Sequence, residues 1–280
     1  MWSRRYRSFG DYSVTTLLNP VRVVHLARRH PTELRRSLAS QISAFVGSGV
    51  HLNFEESIRS YSIIDPRYMV ERTVMDKVCD RIITGRFDIL YDEKHIYDIK
   101  TAKTWKVIYD PGMKEWHEQQ NIYAHLLRAR GCDVHSINIV ALYLDWNKSA
   151  AFRQDKYPPH PVVEYKLNLW DDAVTRSFLE GKVTGMKEHE TTPDDELPEC
   201  TDDEMWVRDT SYAVMKEGQQ KAVRVFPELK DAAESLEKYQ LRSDGRYSIQ
   251  TRPGRRVRCE EFCECNEVCG QWKKWRESNG

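Results

Sequence analysis

The sequence predicts an α/β fold in which a central sheet is flanked by helices, with a small cysteine-rich appendage. Three neighbouring segments, 69–78, 82–91 and 95–101, show the alternation of strands and are joined by short turns, which predicts a three-stranded meander. A helical segment at 115–130 and a largely apolar segment at 134–144 come next. An apolar strand of this kind is typical of the interior of a sheet. Strands interleaved with helices predict the α/β class.

Further helices and strands are predicted on both sides of these segments. Thr32 is the predicted N-cap of a first helix, and Gly47-Ser48-Gly49 interrupts the helical pattern before a second apolar stripe begins. Downstream, 162–169 is predicted as a strand and 171–188 as a helix whose N-cap is Asp171. These elements complete the predicted core.

The chain beyond this core predicts a second, smaller unit. Pro193, Pro198 and a run of acidic residues mark a linker. A hairpin around Glu217-Gly218, a helix at 228–239 and a strand at 246–251 follow, which gives a ββαβ unit with few core residues. We therefore place a core domain with an N-terminal basic helical region at 1–190. The acidic linker, the ββαβ unit and a cysteine-rich segment occupy 191–280.

The composition is typical of an intracellular globular protein. The chain has 280 residues, with 43 basic and 43 acidic side chains and 40% hydrophobic residues. This length suits one large domain, or one domain with an appendage. No run approaches the ~20 apolar residues of a membrane span, and the N-terminus lacks the apolar core of a signal peptide. We expect a cytoplasmic protein with no membrane partner.

The zero net charge conceals separate basic and acidic regions. Residues 1–40 contain eight arginines against one aspartate and one glutamate, whereas 188–204 is acidic. Basic patches bind nucleic acid because neutralised phosphates release counterions. We expect DNA contacts from one cluster: Arg28, Arg29, Arg35 and Arg36. The alternative is a solvated helix face.

The hairpin formed by the second and third strands carries the candidate catalytic residues. If it folds about Glu93, Asp88 lies opposite Asp98, about 5 Å away. Asp98 and Lys100 share a face because strand side chains alternate. Two carboxylates and a lysine then converge, which suits Mg²⁺ or Mn²⁺ and the hydrolysis of a phosphodiester. The alternative is an amphipathic hairpin with a hydrated polar face.

Two helical pairs of polar residues accompany this hairpin. His51 and Glu55 are four residues apart and therefore lie on a common helix face, next to an apolar stripe. The imidazole is either a structural group or a metal ligand, and Glu55 is a weaker candidate. Gln119 and Tyr123 are likewise one turn apart, either on an ordinary polar face or at a functional site.

These motifs, in this order, resemble the PD-(D/E)XK nuclease superfamily and its RecB-type branch. Asp88 ends Gly-Arg-Phe-Asp, and Asp98 and Lys100 form Asp-Ile-Lys. Gln119 and Tyr123 match the QxxxY helix motif of the branch, and His51 matches its metal-binding histidine. The similarity covers residues 12–272 approximately. It is greatest to RecB-like nucleases of phage genomes, and it extends to the CRISPR adaptation nucleases and AddB.

The resemblance implies a mixed central sheet flanked by helices and a site that hydrolyses DNA with Mg²⁺ or Mn²⁺. The implied cation ligands are His51, Asp88, Asp98 and the backbone carbonyl of Ile99. Lys100 would activate or orient the attacking water, and Gln119 with Tyr123 would hold the DNA and the lysine in position. The imidazole ligand favours Mn²⁺ over Mg²⁺.

Five of the seven cysteines lie in the second unit: Cys200, Cys259, Cys263, Cys265 and Cys269. In an intracellular protein this pattern favours a metal site over disulfides. The RecB-type branch often holds an iron–sulfur cluster, and the resemblance implies a 4Fe–4S cluster on Cys200, Cys259, Cys263 and Cys269. The C-x3-C-x5-C spacing and the late position of Cys200 depart from the family pattern. Zinc on four thiolates is the alternative.

The resemblance implies a divalent-metal-dependent deoxyribonuclease. It would be an exonuclease acting on single-stranded DNA or DNA ends in phage recombination or replication, with a protein of one of these processes as a possible partner. A phage protein of this kind would work in the cytoplasm of the bacterial host. Two alternatives are a partner-dependent DNA-processing subunit, as in CRISPR adaptation, and a non-catalytic DNA-binding module.

Overall fold

The computed structural model describes residues 10–35, 38–242 and 245–279. These residues form two compact units, one with 10–25 and 38–193, and one with 26–35 and the described residues from 194 onward. Residues 26–35, which we expected in the first domain, thus group with the second unit. Among the described helices, none combines the length and the apolar character that crossing a membrane requires.

The first unit is built on a six-stranded mixed sheet. Its strands are β1 (Tyr12–Ser13), β2 (Tyr68–Val78), β3 (Arg81–Tyr91), β4 (His95–Ala102), β5 (Ser136–Tyr143) and β6 (Val162–Leu167). The order is β1-β3-β4-β5-β6, and β2 also pairs with β3. The β1–β3 and β4–β5 pairs are parallel, and the other pairs are antiparallel. The predicted α/β class with a mixed central sheet is confirmed.

Seven helices are described in the chain up to residue 188, and several of them contact this sheet. They are α1 (Val14–Leu17), α2 (Val21–Arg29), α3 (Leu38–Ile64), α4 (Trp105–Tyr109), α5 (Lys114–Arg128), α6 (Lys148–Arg153) and α7 (Asp172–Glu188). Helix α5 is apolar on the side that contributes Ile122 and Leu126 to the main core, where they join Leu90 and Ile96 of the sheet. The chain then turns at Gly131, whose φ of 90° favours glycine.

The long helix before the sheet differs from the prediction. Helix α3 passes through Gly47-Ser48-Gly49 without a break, and Thr32 lies in a turn rather than at a helix N-cap. A Cβ atom on Gly47 would lie 3.2 Å from the hydroxyl oxygen of Thr101. The glycine therefore permits α3 to approach β4 closely, and it does not end the helix.

At one point in the pairing of β2 with β3, the side chains of β2 change the face of the sheet on which they lie. Val74 and Val78 belong to the main core, and Met69 also packs against it, whereas Val70 lines a small pocket with His51. The strand pairing skips one pair between Val70 and Arg72. Side chains on the two sides of this interruption therefore follow opposite phases of the two-residue period.

The second unit contains a small sheet and a helix. Its elements are α8 (Asp202–Met205), β7 (Val207–Arg208), β8 (Ser211–Lys216), β9 (Arg224–Phe226), α9 (Leu229–Arg242), β10 (Tyr247–Arg252), β11 (Arg255–Arg256), a π-helical turn (Arg258–Phe262) and α10 (Gly270–Asn279). Strands β10, β8 and β9 form an antiparallel sheet, and β11 pairs with β7. Ala213 and Val214 of β8 and Ala232 of α9 are fully buried. The order β8-β9-α9-β10 agrees with the predicted ββαβ unit.

Candidate active site

The hairpin of β3 and β4 sets the two predicted acids side by side. One step beyond the last pair of its ladder places Asp88 against Asp98, so the predicted register about Glu93 is confirmed. The backbone N–H of Ile99 donates to Asp88 Oδ2 at 2.8 Å. This hydrogen bond fixes the direction of the Asp88 carboxylate between the two strands.

The lysine of the hairpin pairs with the second acid. Lys100 Nζ lies 2.7 Å from Oδ2 of the buried Asp98. Burial alone would lower the pKa of Lys100, but the Asp98 carboxylate raises it above its ordinary value. Burial raises the pKa of Asp88 to about 8, and the charge of Asp98 acts in the same direction. Lys100 is therefore a cation at neutral pH, and Asp88 retains a proton unless a positive charge replaces it.

Helix α3 supplies the predicted histidine. His51 Nδ1 lies 3.4 Å from Asp88 Oδ2. Burial lowers the pKa of His51, although the charge of Asp98 opposes this effect. A neutral imidazole with a free electron pair can bind a metal, so this shift suits a ligand.

A further carboxylate, that of Glu71 in β2, lies at the same place and was missed in the sequence. Glu71 occupies the skipped ladder position opposite Asp88 and has a φ of 51°, which is uncommon for a residue other than glycine. Burial raises the pKa of Glu71. The positive φ of Glu71 is a strained backbone conformation, which costs about 1–3 kcal/mol and is found mainly at functional sites. The alternation of residues along a strand gives no signal for Glu71 as a site residue, because it does not show where the strand pairing is interrupted.

Three side chains come together at this point as a potential cation site. One ligand atom from each of His51, Glu71 and Asp88 lies within 4.8 Å of the other two. Ile99 lines the same small pocket, whereas Asp98 faces Lys100. An imidazole nitrogen with carboxylate oxygens is a donor set that fits Mn²⁺ or Mg²⁺.

The QxxxY pair lies on α5, which packs against β3 and β4. Gln119 and Tyr123 are buried and hydrogen-bonded to each other. Burial is the main cause that raises the pKa of Tyr123, and the nearby charges of Asp98 and Asp88 raise it further. A Cβ atom on Gly85 would lie 2.4 Å from Cε1 of Tyr123. The first residue of Gly-Arg-Phe-Asp is thus a glycine because the tyrosine ring occupies the space beside it.

The second unit brings the cysteine side chains into one neighbourhood. Burial raises the pKa of Cys200 to about 12, and the nearby thiols of Cys269, Cys259 and Cys263 contribute. The side-chain amide of Gln271 donates to the Cys200 carbonyl at 2.9 Å, and the Cys200 N–H donates back to it. Among the described residues, no three of these sulfur atoms lie within 4.8 Å of one another.

The fifth cysteine, Cys265, is buried and forms a hydrogen bond with Cys263, one of the predicted metal ligands. Its thiol donates to Cys263, which lowers the pKa of Cys263 to about 7. Cys263 is therefore readily ionised, and a thiolate is the form that binds metal.

The predicted arginine cluster is only partly described. Arg29 forms an ion pair with Asp194 at 2.7 Å, and Arg35 forms one with Glu267 at 3.3 Å, both within the second unit. Arg28 is exposed near the end of α2. Arg36 lies outside the described residues.

Comparisons with known proteins give a distant likeness of fold. No protein-family model and no curated protein matches the sequence. The solved structure of SSO0001 is similar over 64% of this chain and 79% of its own, with a TM-score of 0.44 and 18% identity. An alkaline exonuclease from Laribacter hongkongensis is similar over 64% of this chain and 86% of its own, with a TM-score of 0.34 and 12% identity. Its complex with dAMP gives a TM-score of 0.34 and 14% identity over 63% of this chain and 92% of its own.

Proposed function

We propose that this protein is a divalent-metal-dependent DNA nuclease of the PD-(D/E)XK type, in the RecB-type branch. The observation that carries the proposal is the convergence of His51, Asp88, Asp98 and Lys100 at one hairpin and the helix above it. Buried acids with an imidazole and a charged lysine are costly to fold unless they serve a cation and a reaction. The comparisons add no weight, because all three TM-scores are below 0.5.

The residues divide into cation ligands and groups that act on the substrate. His51, Asp88, Asp98 and the backbone carbonyl of Ile99 would hold Mg²⁺ or Mn²⁺. The bound cation would supply charge for the developing phosphorane and acidify a water molecule. Lys100, protonated beside Asp98, orients the attacking water and offsets the negative charge of the transition state.

Other residues would position the DNA. Gln119 and Tyr123 hold the strand end and the lysine in place from α5. Phosphate contacts come from the basic cluster, Arg28, Arg29, Arg35 and Arg36. We propose single-stranded DNA or DNA ends as the substrate of an exonuclease in phage recombination or replication, acting in the host cytoplasm with a protein of that process.

The second unit would be held together by a metal centre. We propose a 4Fe–4S cluster on Cys200, Cys259, Cys263 and Cys269, with Zn²⁺ as the alternative. The mutual influence of these four thiols on their pKa values supports a common site. A metal held by residues so far apart in sequence would stabilise the fold directly.

Digestion of labelled DNA tests the proposal. Circular and end-labelled linear DNA, single- and double-stranded, are incubated with the pure protein and Mn²⁺ or Mg²⁺, with chelator as the control. We expect metal-dependent loss of linear DNA and survival of circles. Binding of DNA and Mn²⁺ without any cleavage would favour a partner-dependent subunit, and DNA binding without cation binding would favour a non-catalytic module.

A further inference from the structure

Arg86 and Glu71 form a charge pair at the edge of the proposed cation site. Arg86 Nε lies 2.6 Å from Glu71 Oε2, where the arginine side chain is 38% exposed and the glutamate side chain is 6% exposed. Arg86 is also close enough to His51 to lower its pKa. Glu71 has no place in the family motifs described above, and Arg86 is the second residue of Gly-Arg-Phe-Asp, to which no role was assigned.

The pair lacks the geometry of a hydrogen bond. Glu71 Oε2 is a buried oxygen that receives no hydrogen bond, although the guanidinium lies beside it. Buried polar atoms without such a bond are rare and require an explanation. The same carboxylate offers a ligand atom within 4.8 Å of those of His51 and Asp88. The Glu71 oxygen therefore has no hydrogen bond from Arg86, and it is well placed to bind a cation.

We propose that Glu71 is an additional ligand of the divalent cation, and that Arg86 balances its charge only while the cation is absent. The backbone supports this role, because the positive φ of Glu71 interrupts the ladder directly opposite Asp88 and keeps the side chain beside the ligand group. On cation binding, the divalent charge replaces the guanidinium as the partner of the buried carboxylate. This inference rests on the proposed cation site but not on DNA as the substrate.

Calorimetric titration of Mn²⁺ into four proteins tests the inference: wild type, Glu71→Gln, Arg86→Gln and Glu55→Gln. Glu55 is the matched control, since it lines the same pocket but pairs with Arg59 along α3. We expect Glu71→Gln to weaken Mn²⁺ binding at least about tenfold, as loss of a ligand or its support does. Glu55→Gln should bind like the wild type. Arg86→Gln should bind Mn²⁺ equally or more tightly, because a competing positive charge has gone.

Thermal unfolding with and without Mn²⁺ separates this role from a structural one. In chelator, Arg86→Gln should unfold at a lower temperature than the wild type, because Glu71 then stays buried without a countercharge. Added Mn²⁺ should abolish this difference in unfolding temperature. Wild-type Mn²⁺ affinity in Glu71→Gln, or weakening in Glu55→Gln alone, would overturn the inference. Weaker binding in Arg86→Gln would overturn the part assigned to the arginine. If the wild type binds Mn²⁺ but leaves all DNA intact, the proposed function fails while the Glu71 result still stands.

Discussion

Single residues in this site are constrained by space as well as by chemistry. Gly85 illustrates the first constraint, since a Cβ atom there would lie 2.4 Å from the Tyr123 ring and 2.8 Å from Val14 Cγ2. Asp88 illustrates the second, since burial and a neighbouring acid make it hold a proton. A reader of the sequence could recognise both positions in a motif, but only the packing shows why one must be small and the other protonated.

The space beside Gly85 gives a first prediction. Gly85→Ala should destabilise the fold by about 1–3 kcal/mol, because the added methyl forces the tyrosine ring or Val14 to move. Cleavage should fall as well, since Tyr123 is displaced. Gly49→Ala is the control, because nothing lies within 4 Å of its Cβ position in α3. Denaturant unfolding of both variants checks this, and equal stabilities would contradict the packing described.

The acid–lysine pair gives a second prediction. Asp98→Ala and Lys100→Ala should each lower DNA cleavage at least about 100-fold through lost stabilisation of transition-state charge. Both variants should still fold, although less stably than the wild type, because the remaining partner stays buried without its countercharge. DNA binding should persist or tighten in Asp98→Ala, because a negative charge near the phosphate has gone. Initial rates on end-labelled DNA, with circular dichroism for folding, measure this, and Asp133→Ala at an exposed site is the control. Normal cleavage by folded Asp98→Ala protein would refute the assignment.

The protonation of Asp88 gives a third prediction. Its pKa is raised from 3.8 to about 8, so between these values the folded protein binds a proton that the unfolded chain does not. Stability of the cation-free protein should therefore fall as the pH rises through this range. Cation binding must displace the proton, so the thermal shift caused by Mn²⁺ should grow between about pH 6 and about pH 8. Asp88→Asn should abolish both effects, and a pH-independent Mn²⁺ shift in the wild type would contradict this account.

At the scale of elements, the hairpin of β3 and β4 could be predicted closely from sequence. The predicted strands at 69–78, 82–91 and 95–101 are observed at Tyr68–Val78, Arg81–Tyr91 and His95–Ala102. Alternation and a polar turn are local signals, and a register that fixes Asp88 opposite Asp98 follows from the turn alone. The acids and lysine could thus be placed together without any tertiary information.

Other elements depend on contacts that sequence patterns do not contain. Glycine costs about 1 kcal/mol in a helix but does not forbid one, so the approach of α3 to Thr101 overrides the break expected at Gly47. Likewise, a strict two-residue period would place Val70 with Val74, whereas the interruption at Glu71 sends it to the opposite side. The histidine was found by its motif, and the glutamate was missed because no motif includes it.

The basic cluster gives a prediction at this scale. Reversing Arg28, Arg29, Arg35 and Arg36 to glutamate should weaken DNA binding and reduce the slope of log affinity against log salt, by about 0.9 per lost duplex phosphate contact. The control reverses four exposed charges of the second unit: Lys221, Lys230, Lys238 and Arg246. Fluorescence anisotropy at several salt concentrations measures both. If the two variants behave alike, the DNA path avoids the cluster.

At the scale of the whole molecule, the cysteines predict a metal-dependent second unit. Serine at Cys200, Cys259, Cys263 or Cys269 should give metal-depleted, poorly soluble protein, because each removes a thiolate ligand and its folding energy. Cys265→Ser should retain full metal content, since a serine hydroxyl can still donate to Cys263. Metal analysis and visible absorption of anaerobically purified variants check this. An iron-loaded Cys200→Ser protein, or a metal-free Cys265→Ser protein, would contradict the ligand set.

The second unit is formed by two segments that are far apart in the sequence, residues 26–35 and the described residues from 194 onward, and that are therefore synthesised at different times. The Arg35 N–H donates to the Glu264 carbonyl at 3.0 Å, and Arg29 pairs with Asp194. During synthesis, residues 26–35 leave the ribosome early, and their partners follow only when the rest of the chain has been translated. Contacts of such large sequence separation form slowly. The first unit, by contrast, has all its residues once Pro193 has emerged. The segment at 26–35 is therefore exposed during translation, and a chaperone or a protease could bind it before residues 194 onward are available to pack against it.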